Sequence, residues 1–326
     1  MKTALLLSKA NLELSIAEAT TRIEPEEQEL EYNLLLIDKE PGNEELDKLA
    51  LTRKAYKILL EASTEKEIEQ KLLKQPPQIQ GKNKTYRVRS ENLLHGKRTL
   101  ENLGGIAKAL NMHPSIRKAN LENPDLDFAI IKAKKTYLAL KTWENTDKAK
   151  ERKAHERPYN HPTSLDPKTA RAMINLAGAK KEILDPFCGA GGILIEAGLT
   201  GLKATGIDFD SRMIERAKAN TEHYNVKASL VHGNALDREK EAECIVTDIP
   251  YGKNSRASEE ISSLLKKFLE KYSKLTKKIV ISHPSTLDIK EFLPSTGMER
   301  KSSYSTYIHK KLTRTISVLE AKDTQS

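Results

Sequence analysis

Ile183-Leu184-Asp185-Pro186-Phe187-Cys188-Gly189-Ala190-Gly191-Gly192 is the stretch that decides the fold. An apolar run ends in Asp, and a glycine-rich turn opens into a helical pattern over 192–199. Glycines let the chain bend sharply and let a ligand approach with no side chain in the way. Working outward, strand patterns at 182–187, 203–209, 229–233, 244–248 and 278–282 alternate with helical patterns at 192–199, 211–222 and 258–274. This alternation predicts an α/β domain with a mostly parallel sheet covered on both faces. Residues 300–307 and 315–319 read as an antiparallel edge pair joined by a short basic turn. Ligands of such open sheets bind outside the carboxyl ends of the strands.

The glycine turn narrows the ligand. A dinucleotide fingerprint needs Gly-x-Gly-x-x-Gly, and here Gly189 and Gly191 fit but the third position is Leu194. Asp185 precedes the glycines; an anionic side chain suits an ammonium group and not a pyrophosphate. S-adenosylmethionine carries an ammonium group and no phosphate, and it is the cofactor expected. Phe187, Cys188, Gly189 and Gly191 then line its turn. Asp208 ends the second strand and is placed to accept hydrogen bonds from both ribose hydroxyls, while Asp210 is read as the cap of the following helix. Asn234, with Ala235, ends the third strand, where a polar side chain accepts from an adenine amino group.

The fourth strand ends Val246-Thr247-Asp248-Ile249-Pro250-Tyr251-Gly252. Asp/Asn-Pro-Pro-Tyr at this place marks methyltransferases that act on amino nitrogens of bases, and Ile249 stands where the first proline would be. An aryl amino lone pair is delocalised and a poor nucleophile. Acceptors that hold its two hydrogens localise the pair and aim it at the methyl. Asp248 takes one hydrogen and a main-chain carbonyl near Ile249 or Pro250 the other, while Tyr251 stacks on the base. Positioning and electrostatics supply most of the rate.

The chain has 326 residues and a net charge of +9, unevenly spread. Residues 1–47 carry −8, 48–154 carry +12 and 155–326 carry +5. A basic middle third suggests a polyanion-binding module, with solvated surface charge as the bland alternative. Cys188 and Cys244 are the only cysteines and lie far apart, so a disulfide framework and a four-cysteine zinc site are excluded, and no metal is assigned. No apolar run is long enough for a membrane span, the three leucines at 5–7 are too short for a signal core, and a cytoplasmic location is expected. In the front half, strands are expected at 4–8, 34–37, 86–89 and 128–131, and helices at 13–21, 46–62 and 100–110. Residues 141–157 are charged, hold the lone Trp143, and read as a linker.

Arg157-Pro158-Tyr159-Asn160-His161-Pro162-Thr163-Ser164-Leu165, Asp-Pro-Phe-Cys-Gly-x-Gly-Gly, Thr-Asp-x-Pro-Tyr-Gly and His309-Lys310-Lys311-Leu312-Thr313-Arg314 together resemble the archaeal tRNA guanosine-10 dimethyltransferase family. Tyr86-Arg87-Val88-Arg89, Gly96-Lys97-Arg98 and Leu121-Glu122-Asn123-Pro124-Asp125 resemble a THUMP domain. The resemblance implies a ferredoxin-like unit over 1–62, a THUMP domain over 63–140, a linker over 141–156 and a Rossmann-like class I methyltransferase domain over 157–326. It implies N2-methyl- and N2,N2-dimethylguanosine formed at position 10 of tRNA, with guanosine 6 or another RNA amino group as the alternative. It further implies that THUMP binds the acceptor end and measures distance to the target, and that His161 and Thr163 cover the cofactor; the basic middle third fits the RNA-binding role independently, with Arg87, Arg89, Lys97 and Arg98 as the candidates to contact phosphates. A paired guanine would have to leave its stack. A small activator subunit stays open as a second partner. A nicotinamide oxidoreductase and a non-enzymatic RNA-binding protein remain as rivals from other classes.

Overall fold

The structure, a computed structural model, describes residues 2–94, 103–160, 164–249, 255–309 and 312–322. It divides into two units, Met1–Asp47 with Leu51–Thr146, and Lys48–Ala50 with Asp147–Ser326. The first runs β1 (Thr3–Leu7), α1 (Leu12–Ile23), β2 (Gln28–Glu31), β3 (Leu34–Ile37), α2 (Asn43–Asp47), β4 (Thr52–Ala62), α3 (Glu65–Lys74), β5 (Lys84–Asn92), α4 (Leu103–Asn111), β6 (Ile116–Ala119), β7 (Leu126–Lys132) and β8 (Thr136–Glu144). All eight strands form one sheet, in the order β2-β3-β1-β4-β8-β7-β5-β6. The strands of 1–62 and those of 63–140 are thus joined edge to edge by antiparallel pairing of β4 with β8.

The helix expected over 46–62 is corrected to a short α2 followed by the eleven-residue strand β4. Leu46, Leu49, Ala50 and Tyr56 fit a helical spacing, but Thr52, Tyr56 and Ile58 suit a pleated surface, and pairing with β1 on one side and β8 on the other satisfies the backbone along most of the strand. Alternation along β7 explains its unbroken apolar run. Phe128 and Ile130 join a core with Ile68, Leu72, Ile106 and Leu110 of α3 and α4, while Ala129 and Ile131 face the opposite cluster with Leu6, Leu36 and Tyr137.

The second unit runs α5 (Pro167–Ala177), β9 (Glu182–Asp185), α6 (Gly192–Leu199), β10 (Lys203–Asp208), α7 (Ser211–His223), β11 (Ala228–His232), β12 (Cys244–Asp248), α8 (Ser255–Tyr272), β13 (Lys278–Pro284), β14 (Met298–His309) and β15 (Leu312–Ala321). Its sheet order is β11-β10-β9-β12-β13-β15-β14. Strands β9 to β13 are parallel, and β15 pairs antiparallel with β13 and with β14. This is the expected Rossmann-like arrangement with its antiparallel edge. The chain winds outward from β9 through β10 to β11, then crosses back to β12 on the other side of β9. That reversal opens a crevice at the carboxyl ends of β9 and β12. α5 went unread in the sequence although its stop and start signals are plain: Asp166 accepts from the Lys168 N–H, Pro167 begins the helix, and Gly178 ends it at φ 68°.

The charged stretch 141–156 is not a solvated linker. Its first residues continue β8, where Trp143 is buried and donates from Nε1 to Asp47 at 2.7 Å. The rest forms two 3-10 turns that bury Arg152 against Glu196 of α6, at 2.7 Å, and against Asp147, at 2.8 Å. Arg171 of α5 completes the group, 2.7 Å from Glu196 and 3.1 Å from Asp147. Burial pushes Asp147 up, but its two guanidinium partners outweigh burial and hold its carboxyl below the usual range. Among the described residues, no helix is long and apolar enough to cross a membrane. Glu196→Ala leaves two buried guanidinium groups short of a partner and is expected to destabilise the fold by about 3–5 kcal/mol. Urea unfolding checks this: the midpoint should drop with the slope unchanged.

Candidate active site

Four strand ends meet one cavity of about 360 Å³, lined by Asp185, Phe187, Cys188, Gly189, Asp208, Asn234, Ala235 and Asp248. Every described residue expected to hold the cofactor, except Gly191, therefore lines this cavity. Pro250, Tyr251, His161, Thr163, Lys97 and Arg98 lie outside the described residues.

The glycine turn is shaped by its neighbours. Gly191 sits at φ 83° and caps α6; a Cβ there would stand 3.2 Å from that of Ala217 on α7. Gly206 of β10 leaves room for the turn: a Cβ would come within 2.5 Å of Leu194 Cδ1 and 2.8 Å of Cys188 Sγ. Leu194, at the place of the missing third glycine, is therefore packing and not a ligand contact. Asn220, fully buried on α7, donates to the carbonyls of Ala190 and Tyr159, and its Oδ1 accepts from the Tyr159 N–H. It ties the segment before α5 to the turn, a role the sequence did not disclose. Burial, reinforced by the Asp185 and Asp208 charges, pushes the Cys188 thiol well up, so it is not a poised nucleophile.

Three carboxylates stand side by side at the ends of β9, β10 and β12, each held differently. Asp185 is buried; its Oδ1 accepts from Thr247 Oγ1 at 2.6 Å and from the Phe187 N–H at 3.2 Å. Burial, aided by the Asp248 and Asp208 charges and opposed by those two hydrogen bonds, pushes its carboxyl up to about 7. Asp208 accepts backbone N–H bonds from Gly189 and Asp210, both at 2.9 Å. A carboxylate has about four lone-pair sites, so two such bonds leave capacity for a pair of hydroxyls. Asp248 is paired with Arg314 of β15, Oδ2 to Nη1, at 3.1 Å.

Asp210 caps α7, accepting from the Arg212 N–H at 2.9 Å. Asn234 faces the cavity, but its Oδ1 accepts from the Leu236 N–H at 3.0 Å and caps a 3-10 turn over Ala235–Asp237. One of its acceptor positions is thus spent within the protein. Phe209, 74% exposed beside Asp208, and Met213 and Leu264 add apolar lining that no sequence motif announced.

Of the basic residues expected to meet RNA, Arg87 is corrected. Its guanidinium grips Asp127 through two nitrogens and donates to the Leu121 carbonyl at 2.8 Å, which fixes β5 to β7 and its preceding loop. Burial raises the Asp127 carboxyl, yet Arg87 and Lys141 outweigh it and hold it near about 2. Arg89, two residues on along β5, is exposed.

The sheet, the glycine turn and the strand-end carboxylates define a Rossmann-like methyltransferase domain. Residues 154–315 match the family model described as RMKL-like, methyltransferase domain. The chain is 36% identical over 246 residues to the tRNA (guanine(10)-N2)-dimethyltransferase of Pyrococcus abyssi, covering 73% of this chain and 74% of that protein. It is 41% identical over 175 residues to the protein of that name from Methanothermobacter thermautotrophicus, covering 51% and 52%. With the Methanocaldococcus jannaschii protein the identity is 34% over 231 residues, covering 66% and 62%. The fold resembles that of TrmN from Thermus thermophilus, with a TM-score of 0.55 at 18% identity over 99% of this chain and 100% of that one. The chain belongs to the tRNA (guanine(10)-N2)-dimethyltransferase family.

The Asp185 carboxyl binds its proton more tightly folded than unfolded. The stability this contributes is fully present below the ordinary value of 3.8 and is lost as pH rises through about 7. Asp185→Asn, which mimics the protonated form, is therefore expected to match the native protein near pH 4 and to exceed it near pH 8 by up to about 4 kcal/mol. Urea unfolding at both pH values checks this; an effect of equal size at both would contradict it.

Proposed function

We propose that this chain is a cytoplasmic enzyme that transfers a methyl group from S-adenosylmethionine to the two-amino group of a guanine in tRNA. The products are N2-methyl- and N2,N2-dimethylguanosine at position 10. The observation that carries the reading is the convergence of Asp185, Asp208 and Asp248 on one cavity at the switch point of the sheet, in a chain of this family.

The donor set suits the cofactor. The cavity size lies in the range of small-molecule sites. Asp185 takes the ammonium group and gives up its proton to do so. Asp208 receives the ribose hydroxyls, Asn234 and Ala235 flank the adenine, and Phe209 offers it an aromatic face. By the family resemblance, His161 and Thr163 would cover it. S-adenosylmethionine supplies a methyl group already activated on a sulfonium.

The rest is positioning. Asp248 accepts one hydrogen of the guanine amino group, a main-chain carbonyl at Ile249 or Pro250 accepts the other, and Tyr251 stacks on the extruded base. With S-adenosylmethionine bound, the amino nitrogen would take the methyl group that the sulfonium releases. The nitrogen, cationic at that moment, sheds its surplus proton to water, so no base has to act before attack. Asp248→Ala is expected to cut methyl incorporation into tRNA by about 10²–10³-fold or more. Binding of S-adenosylhomocysteine (SAH), followed by calorimetry, should persist; turnover equal to the native chain would refute the role of Asp248.

The first unit is the tRNA-binding part through its basic segment 63–140, with ferredoxin-like and THUMP segments over 1–62 and 63–140 and Arg89, Lys97 and Arg98 on phosphates. Arg89→Ala should weaken tRNA binding and reduce the slope of log affinity against log salt by about 1. Arg87→Ala should instead lower thermal stability. Filter binding at several salt concentrations, alongside melting curves, separates the two residues. A small activator subunit belongs to the proposed partner set, and full turnover of tRNA by the chain alone would remove it.

A further inference from the structure

An arginine occupies a core position of β15. Directly opposed residues in a sheet share a face, as do residues two apart along a strand. The register pairs Asp248 with Ser282, Ser282 with Ile316, and Pro284 with Arg314, so all of these lie on one face of the sheet. Along β15 that face reads Arg314, Ile316 and Val318, and the two aliphatic residues are buried. Arg314 continues the same row with a side chain only 4% exposed. A charge placed in such a row is costly unless it is paired and hydrogen-bonded.

The partner lies two strands away. β13 separates β15 from β12, and strands once removed are about 9–10 Å apart. A long side chain with a planar fork bridges that gap across the face of β13, and Nη1 of Arg314 meets Oδ2 of Asp248 at 3.1 Å. The neighbouring carboxylates have other holders: a hydroxyl and a backbone N–H for Asp185, and two backbone N–H groups for Asp208. The strand end that carries the chemistry is the one given a cation.

We infer that Arg314 is the positioning residue of the methyl-transfer step, holding the Asp248 carboxylate in a fixed orientation for the guanine amino group. The inference rests on the reading of Asp248 as the acceptor of that group. An adjacent guanidinium offsets the repulsion of two nearby carboxyl groups and fixes where the Asp248 oxygens point. Asp248 then orients the amine. Because Arg314 acts through Asp248, its loss affects the rate of the bound complex and not the assembly of that complex.

The test compares Arg314→Met, Arg314→Lys and Asp248→Asn in the full chain, with tRNA as substrate and SAH as the binding probe. Arg314→Met is expected to lower kcat by about 10²-fold, the scale of a reactive group displaced by an ångström, with KM for tRNA and Kd for SAH little changed. Arg314→Lys, which restores the charge without the fork, should recover part of that loss. If Arg314→Met does not fold, Arg314→Gln, which keeps a planar donor and removes the charge, carries the same expectation. Native kcat in the Met or Gln variant overturns the inference. So does a loss confined to KM or Kd, or a Lys variant as slow as the uncharged one. Asp248→Asn separates the two levels: its turning over at the native rate sinks the reading of Asp248 itself. An inactive Asp248→Asn beside a fully active Arg314→Met sinks only the role of Arg314.

Discussion

Three carboxyl groups at adjacent strand ends must share one small cavity, and the way each negative charge is managed shapes the rest of the site. Bare carboxylates this close repel one another and lose hydration at the same time. Asp185, the most buried, responds by retaining its proton up to about 7. Asp208 is met by two backbone N–H groups, one from the glycine turn and one from the start of α7. Asp248 is met by the Arg314 guanidinium. Each solution uses a different part of the fold: a Thr hydroxyl on the neighbouring strand, a bent backbone, and an arginine from the antiparallel edge.

This division matches the chemistry proposed for each group. A carboxyl poised near neutrality releases its proton when a cationic ammonium arrives, so cofactor capture and ionisation are coupled at Asp185. A carboxylate fixed by backbone donors offers its remaining lone pairs in set directions, as recognition of two hydroxyls requires. A carboxylate gripped by a guanidinium is held in one orientation, which suits an acceptor that must orient a weak nucleophile. The antiparallel β14–β15 pair thus does more than close the edge of the sheet: β15 delivers the counter-charge.

The second unit was largely legible in the sequence. Regular alternation of strand and helix patterns, an Asp-ended apolar run and a glycine turn located the sheet, its direction and the cavity, because local periodicity and backbone chemistry decide these features. What escaped was decided by distant partners. The segment 52–62 carries residues compatible with helix and strand, and the pairing of β4 with β1 and β8 settles the matter. The charges of 141–156 look solvated until Glu196 is brought beside Arg152. Arg87 looks like a phosphate ligand until Asp127 is found on the adjoining strand. Arg314 stands in a basic stretch near the end of the chain, and only the register of β13 with β15 reveals that it reaches Asp248. Charged side chains were the least readable class, since the same residue serves solvent, a partner or a ligand according to what the fold places within about 3 Å.

In the proposed reaction the group methylated is an exocyclic amine presented to Asp248. Mass spectrometry of nucleosides from tRNA incubated with the chain and S-adenosylmethionine tests it most directly, with fragments mapped to locate the modified residue. The expected products are N2-methylguanosine, followed by N2,N2-dimethylguanosine, at a single guanine. A methyl group on a ring nitrogen or on ribose would exclude it, because neither offers the pair of amino hydrogens that Asp248 and a neighbouring carbonyl are proposed to hold.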